Sequence, residues 1–132
     1  MRRVVITGIG IVSSIGVNAE EVTASLRSGK SGISFAPDYA DHGFRSQIHG
    51  RPDIEVSDYI DKRQLRFMGE GAAYNFIAMQ DAIKDSGLTE QEISNERTGL
   101  IMGSGGPSTK NLFSAHKTVV EKGSPKRMGP FM

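Results

Sequence analysis

The strongest constraint on this chain is its opening. Arg3-Val4-Val5-Ile6 is a short β-branched run that ends in Thr7-Gly8, and Ile9-Gly10-Ile11-Val12-Ser13 continues it as apolar, glycine-punctuated chain. β-Branched side chains without polar alternation predict a strand buried on both faces, so the glycines punctuate strand-like chain and open no helix. A dinucleotide fingerprint would need a third glycine where Ser13 stands, and a helix starting among the glycines to meet a pyrophosphate. A nicotinamide-binding oxidoreductase using Gly8 and Gly10 is therefore a rival that Ser13 argues against. Met1-Arg2-Arg3 and the apolar stretch to Val17 mimic a secretory signal. The stretch is interrupted by Thr7, Gly8, Gly10, Ser13, Ser14 and Gly16 and lacks a small-residue cleavage pattern. A cytoplasmic protein is expected.

Further along, the local signals alternate. Asn18 with Glu21 three residues on predicts a capped helix to about Arg27, stopped by Gly29, with Val22 and Leu26 on its inner face. Residues 32–57 read as irregular, with a short strand near Arg45–His49; so long a connection is usually functional or packed on another part of a larger protein. A second helical region starts near Tyr59. The strongest helix covers about Gly69–Asp85, with Ala73, Ile77, Met79, Ala82 and Ile83 at helical spacing, and Ser86-Gly87 ends it. Thr89 and Glu92 form a second capping-box pattern. Arg97–Met102 is a second strand candidate, leading into Gly103-Ser104-Gly105-Gly106-Pro107, after which Ser108 caps a helix to about Glu121. Strands alternating with helices give the α/β class. Gly123–Met132 carries two prolines and no periodicity, and closes no element. Such an ending points to truncation, so residues 1–132 are expected to be one incomplete unit of a larger fold.

Several chemistries are excluded or disfavoured. With 16 basic and 15 acidic residues the net charge is +1, which gives no global pull toward nucleic acid or an anionic membrane. No apolar run reaches the length of a membrane span. The chain has no cysteine, which removes disulfides, thiolate metal sites and a cysteine nucleophile from these residues. His42, His49 and His116 have no ligand spacing, so no metal site is expected. No serine sits in a Gly-x-Ser-x-Gly elbow. Two features remain. Lys62, Arg63 and Arg66 share one side of a predicted helix, and Arg45, Lys126 and Arg127 offer further positive charge. Such a patch suits an acidic partner and speeds its association by steering; an ordinary solvated basic helix has the same pattern. The glycine loop, with Gly106 and Pro107 at its end, is either a tight turn or the wall of a substrate cavity, since glycines let another group approach the backbone closely.

Taken in order, the blocks resemble those of bacterial β-ketoacyl-acyl carrier protein synthases. They are Arg2–Gly16, Leu26–Ile33, Asp61-Lys62-Arg63 through Arg66-Phe67-Met68, Asp81-Ala82-Ile83 with Asp85-Ser86-Gly87-Leu88, Arg97–Gly106, and Gly129-Pro130-Phe131. The similarity covers essentially the whole chain. The Gly103–Gly106 loop and the Arg45 segment look most like the synthase I type. The resemblance implies a thiolase-like fold of two α/β halves stacked in five layers, in a homodimer, with this chain supplying the first elements of the first half. It implies decarboxylative Claisen condensation of an acyl-enzyme with malonyl-acyl carrier protein, without a cofactor. The family's catalytic cysteine and histidines have no counterparts here, so no catalytic residue is carried over and the segment alone is expected to be inactive. By resemblance, Lys62, Arg63 and Arg66 match the carrier-docking helix, Arg45, Lys126 and Arg127 match neighbouring basic positions, and Gly106 and Pro107 match the acyl-pocket side of the loop. Pro107 replaces an expected glycine and would stiffen that loop. A non-catalytic carrier-binding module is the alternative from another class.

Overall fold

The computed structural model describes residues 3–128. Arg2 of the opening block and the Gly129-Pro130-Phe131 motif lie outside the described residues.

The first helix, α1 (Ala19–Ser28), begins where the sequence asks it to. Asn18 Oδ1 accepts from the Glu21 N–H at 2.9 Å. The Glu21 carboxylate reaches one residue further back than in a standard capping box and accepts from the Val17 N–H at 3.0 Å. Gly29 closes the helix with φ +66°, a conformation that costs other residues a Cβ clash. Only half of the expected inner face is buried. Val22 is inside, but Leu26 is 69 % exposed, and Ser25 is buried instead. The reason is polar: the Ser25 hydroxyl donates to the Ile15 carbonyl at 2.6 Å, which turns that face of α1 toward the preceding loop. Asn18→Ala should lower stability by about 1 kcal/mol in a urea titration, because it orphans one N-terminal amide.

The excursion over residues 30–55 contains the one sheet among the described residues, an antiparallel ladder of β1 (Ser34–Phe35) and β2 (Ile48–His49), with Ser34 opposite His49. Between them lies the single-turn α2 (Pro37–Asp41). A 3₁₀ turn at Val56–Asp58 leads into α3 (Lys62–Leu65). The long α4 (Glu70–Ser86) follows, ended by Gly87 with φ +65°. Next come α5 (Glu90–Ile93) and α6 (Thr109–Lys122), the latter capped by Ser108, whose hydroxyl oxygen accepts from the Asn111 N–H at 3.3 Å. A 3₁₀ turn at Pro125–Arg127 packs back on α6.

The core is small. Ile60, Ala73 and Ile77 are its buried centre, with Val12, Ile54, Val56, Leu65, Met68 and Phe76 around them. α4 is the organising element. Its alanines let the opening segment lie directly on its backbone: a Cβ on Gly8 would fall on the Ala82 carbonyl oxygen, and one on Gly10 on the Ala78 carbonyl. Asp85 fixes the register by accepting from the Ile9 N–H at 2.9 Å.

The two predicted strands at Arg3–Ile6 and Arg97–Met102 are corrected: neither is a strand among the described residues. A strand exists only through its ladder, and these segments have no pairing partner. Their side chains stand in solvent, with Val4 93 % and Ile101 97 % exposed.

The Thr89–Glu92 capping box forms as read. Glu92 Oε2 accepts from the Thr89 N–H at 2.8 Å and from its hydroxyl at 2.7 Å. These bonds favour the carboxylate, so the Glu92 pKa lies below its ordinary value of 4.5, the backbone bond being the larger cause. A depressed folded pKa means that the cap's contribution is present above the unfolded value and lost as pH falls through the folded one. A carbon-detected NMR titration should place Glu92 below 4.5, and Thr89→Ala should return it toward that value.

Candidate functional site

The basic residues are positioned by the core beneath them. Ile60 is buried and Leu65 packs against the same cluster, which anchors α3 at both ends. Asp61 starts the helix, its carboxylate accepting from the Arg63 N–H at 2.7 Å. With the apolar side committed inward, Lys62, Arg63 and Arg66 are all exposed. The Arg66 guanidinium carbon lies 4.5 Å from the Phe67 ring centroid, a cation–π arrangement that limits where the charge can point.

Arg45 is exposed on the turn between α2 and β2, and Lys126 and Arg127 are exposed on the last 3₁₀ turn. α3 thus brings three of the six basic candidates together, while the others sit on separate elements. Among the described residues none of the six is in an ion pair. Their charge is therefore not spent internally, although Asp58 and Asp61 line the shallow groove beside Lys62 and Arg63 and offset part of it.

Gly106 and Pro107 line an open cleft of about 880 Å³ between the N-terminal ends of α4 and α6. Met102, Leu112 and Ala115 supply its apolar wall, and Glu70, Lys110 and Asn111 its polar rim. Space around Gly103, Gly105 and Gly106 is open: a Cβ at any of them would meet nothing within 4 Å. The glycines are thus not explained by packing within these residues.

The sequence reading overlooked Glu70 and Lys110 on this cleft, and Arg51, which approaches Glu70 from beside it. A single glutamate at a helix start is too common a signal to find them. Two of the three histidines make local contacts. The His42 ring nitrogen is 2.7 Å from the Asp38 carbonyl at the end of α2, and His49 stands edge-on to Tyr39 at 5.8 Å. His116 is exposed on α6. Among the described residues no cluster of three or more metal-ligating side chains occurs, and no helix is long and apolar enough to cross a membrane.

Comparison with known proteins fits this geometry. Residues 1–132 match the family model described as β-ketoacyl synthase, N-terminal domain. The chain is 47% identical over 131 residues to 3-oxoacyl-[acyl-carrier-protein] synthase 1 of Haemophilus influenzae, covering 99% of this chain and 32% of that protein. It is 44% identical over 134 residues to the Escherichia coli K12 protein of the same name, covering 100% and 33%. Among solved structures, the ishigamide ketosynthase/chain length factor superposes with a TM-score of 0.82 at 32% identity, over 98% of this chain and 32% of that one. A β-ketoacyl synthase from Burkholderia phymatum STM815 gives 0.76 at 29% identity, over the same shares. The chain spans about a third of the length of these relatives and shares the thiolase-like fold of the solved ketosynthases over that part. The order of the blocks, the packing of the opening segment on α4 and these matches lead to one assignment: the chain belongs to the β-ketoacyl synthase family, within its N-terminal domain.

Proposed function

We propose that these residues are the first part of a 3-oxoacyl-acyl carrier protein synthase of fatty acid elongation, with the catalytic centre in residues other than these. The observation that carries this reading is identity of 44–47% along essentially the whole chain to two proteins named 3-oxoacyl-[acyl-carrier-protein] synthase 1. In the full enzyme an acyl chain is held as a thioester on a cysteine. Malonyl-carrier loses carbon dioxide, the resulting enolate carbon attacks the acyl carbonyl, and the carbon–sulfur bond to the enzyme breaks to release 3-oxoacyl-carrier. Lowering the thiolate's pKa and stabilising the enolate and oxyanion are the tasks that such a centre must meet. The full protein is a cytoplasmic homodimer of five αβαβα layers that needs no cofactor.

This segment contributes recognition. Lys62 and Arg63 on α3 and Arg66 at its end, exposed and in no ion pair among the described residues, dock the acidic carrier protein, with Arg45, Lys126 and Arg127 adding long-range attraction. Gly106 and Pro107 line the side of the cleft that takes the acyl chain.

The test is elongation by the full-length protein with acyl- and malonyl-carrier substrates. Reversing the α3 charges (Lys62→Glu, Arg63→Glu, Arg66→Glu) should raise the KM for carrier about 10- to 100-fold, flatten its salt dependence and leave kcat within about twofold, because docking charges act mainly on encounter. Absence of any elongation by the wild-type enzyme would overturn the proposed activity. An unchanged KM in the correctly folded triple variant would overturn the docking role alone.

A further inference from the structure

Glu70 stands at the junction of three separate pieces of chain. Its Oε1 lies 3.7 Å from Lys110 Nζ at the start of α6 and 4.0 Å from Arg51 Nη2, just after β2. Glu70 is itself the first residue of α4, where the helix dipole favours a negative charge. The neighbouring chain packs closely. Gly69 faces Ser108, the cap of α6, and a Cβ on Gly69 would come within 2.8 Å of the Ser108 Cβ. Two helices of 17 and 14 residues therefore meet N-terminus to N-terminus. Lys110 and Arg51 add two positive charges to that meeting of two positive dipole ends, and one glutamate offsets them. No side-chain hydrogen bond crosses this junction among the described residues, so electrostatics and close packing hold it.

The loop of residues 103–107 runs straight into α6, and Glu70, Lys110 and Pro107 all line the same cleft. Any movement of the α6 start moves that wall. We propose that Glu70 is a positioning residue: a two-cation clasp that holds the start of α6, and with it the 103–107 wall of the cleft, against α4 and the Arg51 loop. This role deepens the proposed function and rests on it where turnover is concerned, since Glu70 sets the cleft that receives the acyl chain without touching a reacting group. Both pairs are solvent-exposed, with Glu70 52 % and Lys110 78 % accessible. Pairs of this kind shift an equilibrium by a factor of about two to five, so the clasp biases a position and does not lock it.

Amide hydrogen exchange of the full-length protein reads that position directly. Glu70→Gln should speed exchange over residues 103–112 about two- to fivefold, and Lys110→Glu should do the same. High salt should bring the wild type toward Glu70→Gln. In turnover, Glu70→Gln should raise the KM for the acyl substrate with kcat retained. Unchanged exchange over residues 103–112 in Glu70→Gln would overturn the clasp. If wild-type protein elongates nothing, the condensing reading falls, while the exchange comparison still decides the clasp.

Discussion

Gly10→Val should leave the protein unable to fold to its native packing, recovered as aggregate or with stability reduced by about 3 kcal/mol or more. The added side chain has nowhere to go. The first atom of any side chain at position 10 would land on the Ala78 carbonyl, and it would also come within 2.7 Å of the Ala82 amide nitrogen. These are backbone atoms in the middle of a 17-residue helix, so no rotamer change relieves the clash. Either the opening segment lifts off α4, breaking the Ile9 N–H bond to Asp85, or α4 shifts and disturbs Ala73 and Ile77 in the small core. Overpacking commonly costs about 1–3 kcal/mol where side chains can yield; here only backbone can, and a domain's total stability is about 5–15 kcal/mol. Gly71→Ala is the control. Gly71 lies inside α4, is exposed and has open space around its Cβ position. Alanine there should stabilise by about 0.5–1 kcal/mol through helix propensity alone. Urea midpoints of the full-length variants decide the matter, and a Gly10→Val midpoint equal to wild type would mean that the opening segment does not lie on α4.

The same glycines show what a sequence can reveal of this fold. Local chemistry was legible. Asn18, Glu92 and Ser108 cap helices because their side chains reach amides only three residues away, and Gly29 and Gly87 end helices by taking positive φ. The exposure of Lys62, Arg63 and Arg66 was legible for the same reason: a short helix anchored by Ile60 and Leu65 has only one side left for charge. What depends on distant chain was not legible. Gly8 and Gly10 looked like punctuation, whereas they are contact points with Ala82 and Ala78, some seventy residues on. Asp85 looked only like the end of a helix, yet it bonds Ile9. Leu26 has the spacing of a core residue and is exposed, because the buried hydroxyl of Ser25 orients α1. The β-branched runs at 3–6 and 97–102 have strand composition, but a strand needs hydrogen-bond partners that composition cannot supply. Glu70 could not be read at all, since Arg51 and Lys110 are its neighbours only through tertiary packing.

Those unpaired runs carry the second large effect. The 132 residues on their own should release no carbon dioxide from malonyl-carrier above the buffer rate, whereas the full-length enzyme should turn over. Without a cysteine there is no thiolate to take the acyl chain, so no acyl-enzyme forms to accept an enolate and condensation cannot occur. The three histidines do not substitute. His42 is held against the Asp38 carbonyl, His49 packs on Tyr39, and His116 lies exposed on α6. Packing points the same way, because Val4, Ile6, Leu100 and Ile101 are 69–97 % exposed, and a protein standing alone seldom presents so much apolar side chain to water. The isolated segment should therefore bind a hydrophobic dye strongly and associate as concentration rises, and the full-length protein should do neither. Radiolabelled carbon dioxide release is the decisive measurement. Turnover by the purified 132 residues would mean that catalysis resides in groups assigned here only to recognition, and the division between docking surface and catalytic centre would have to be abandoned.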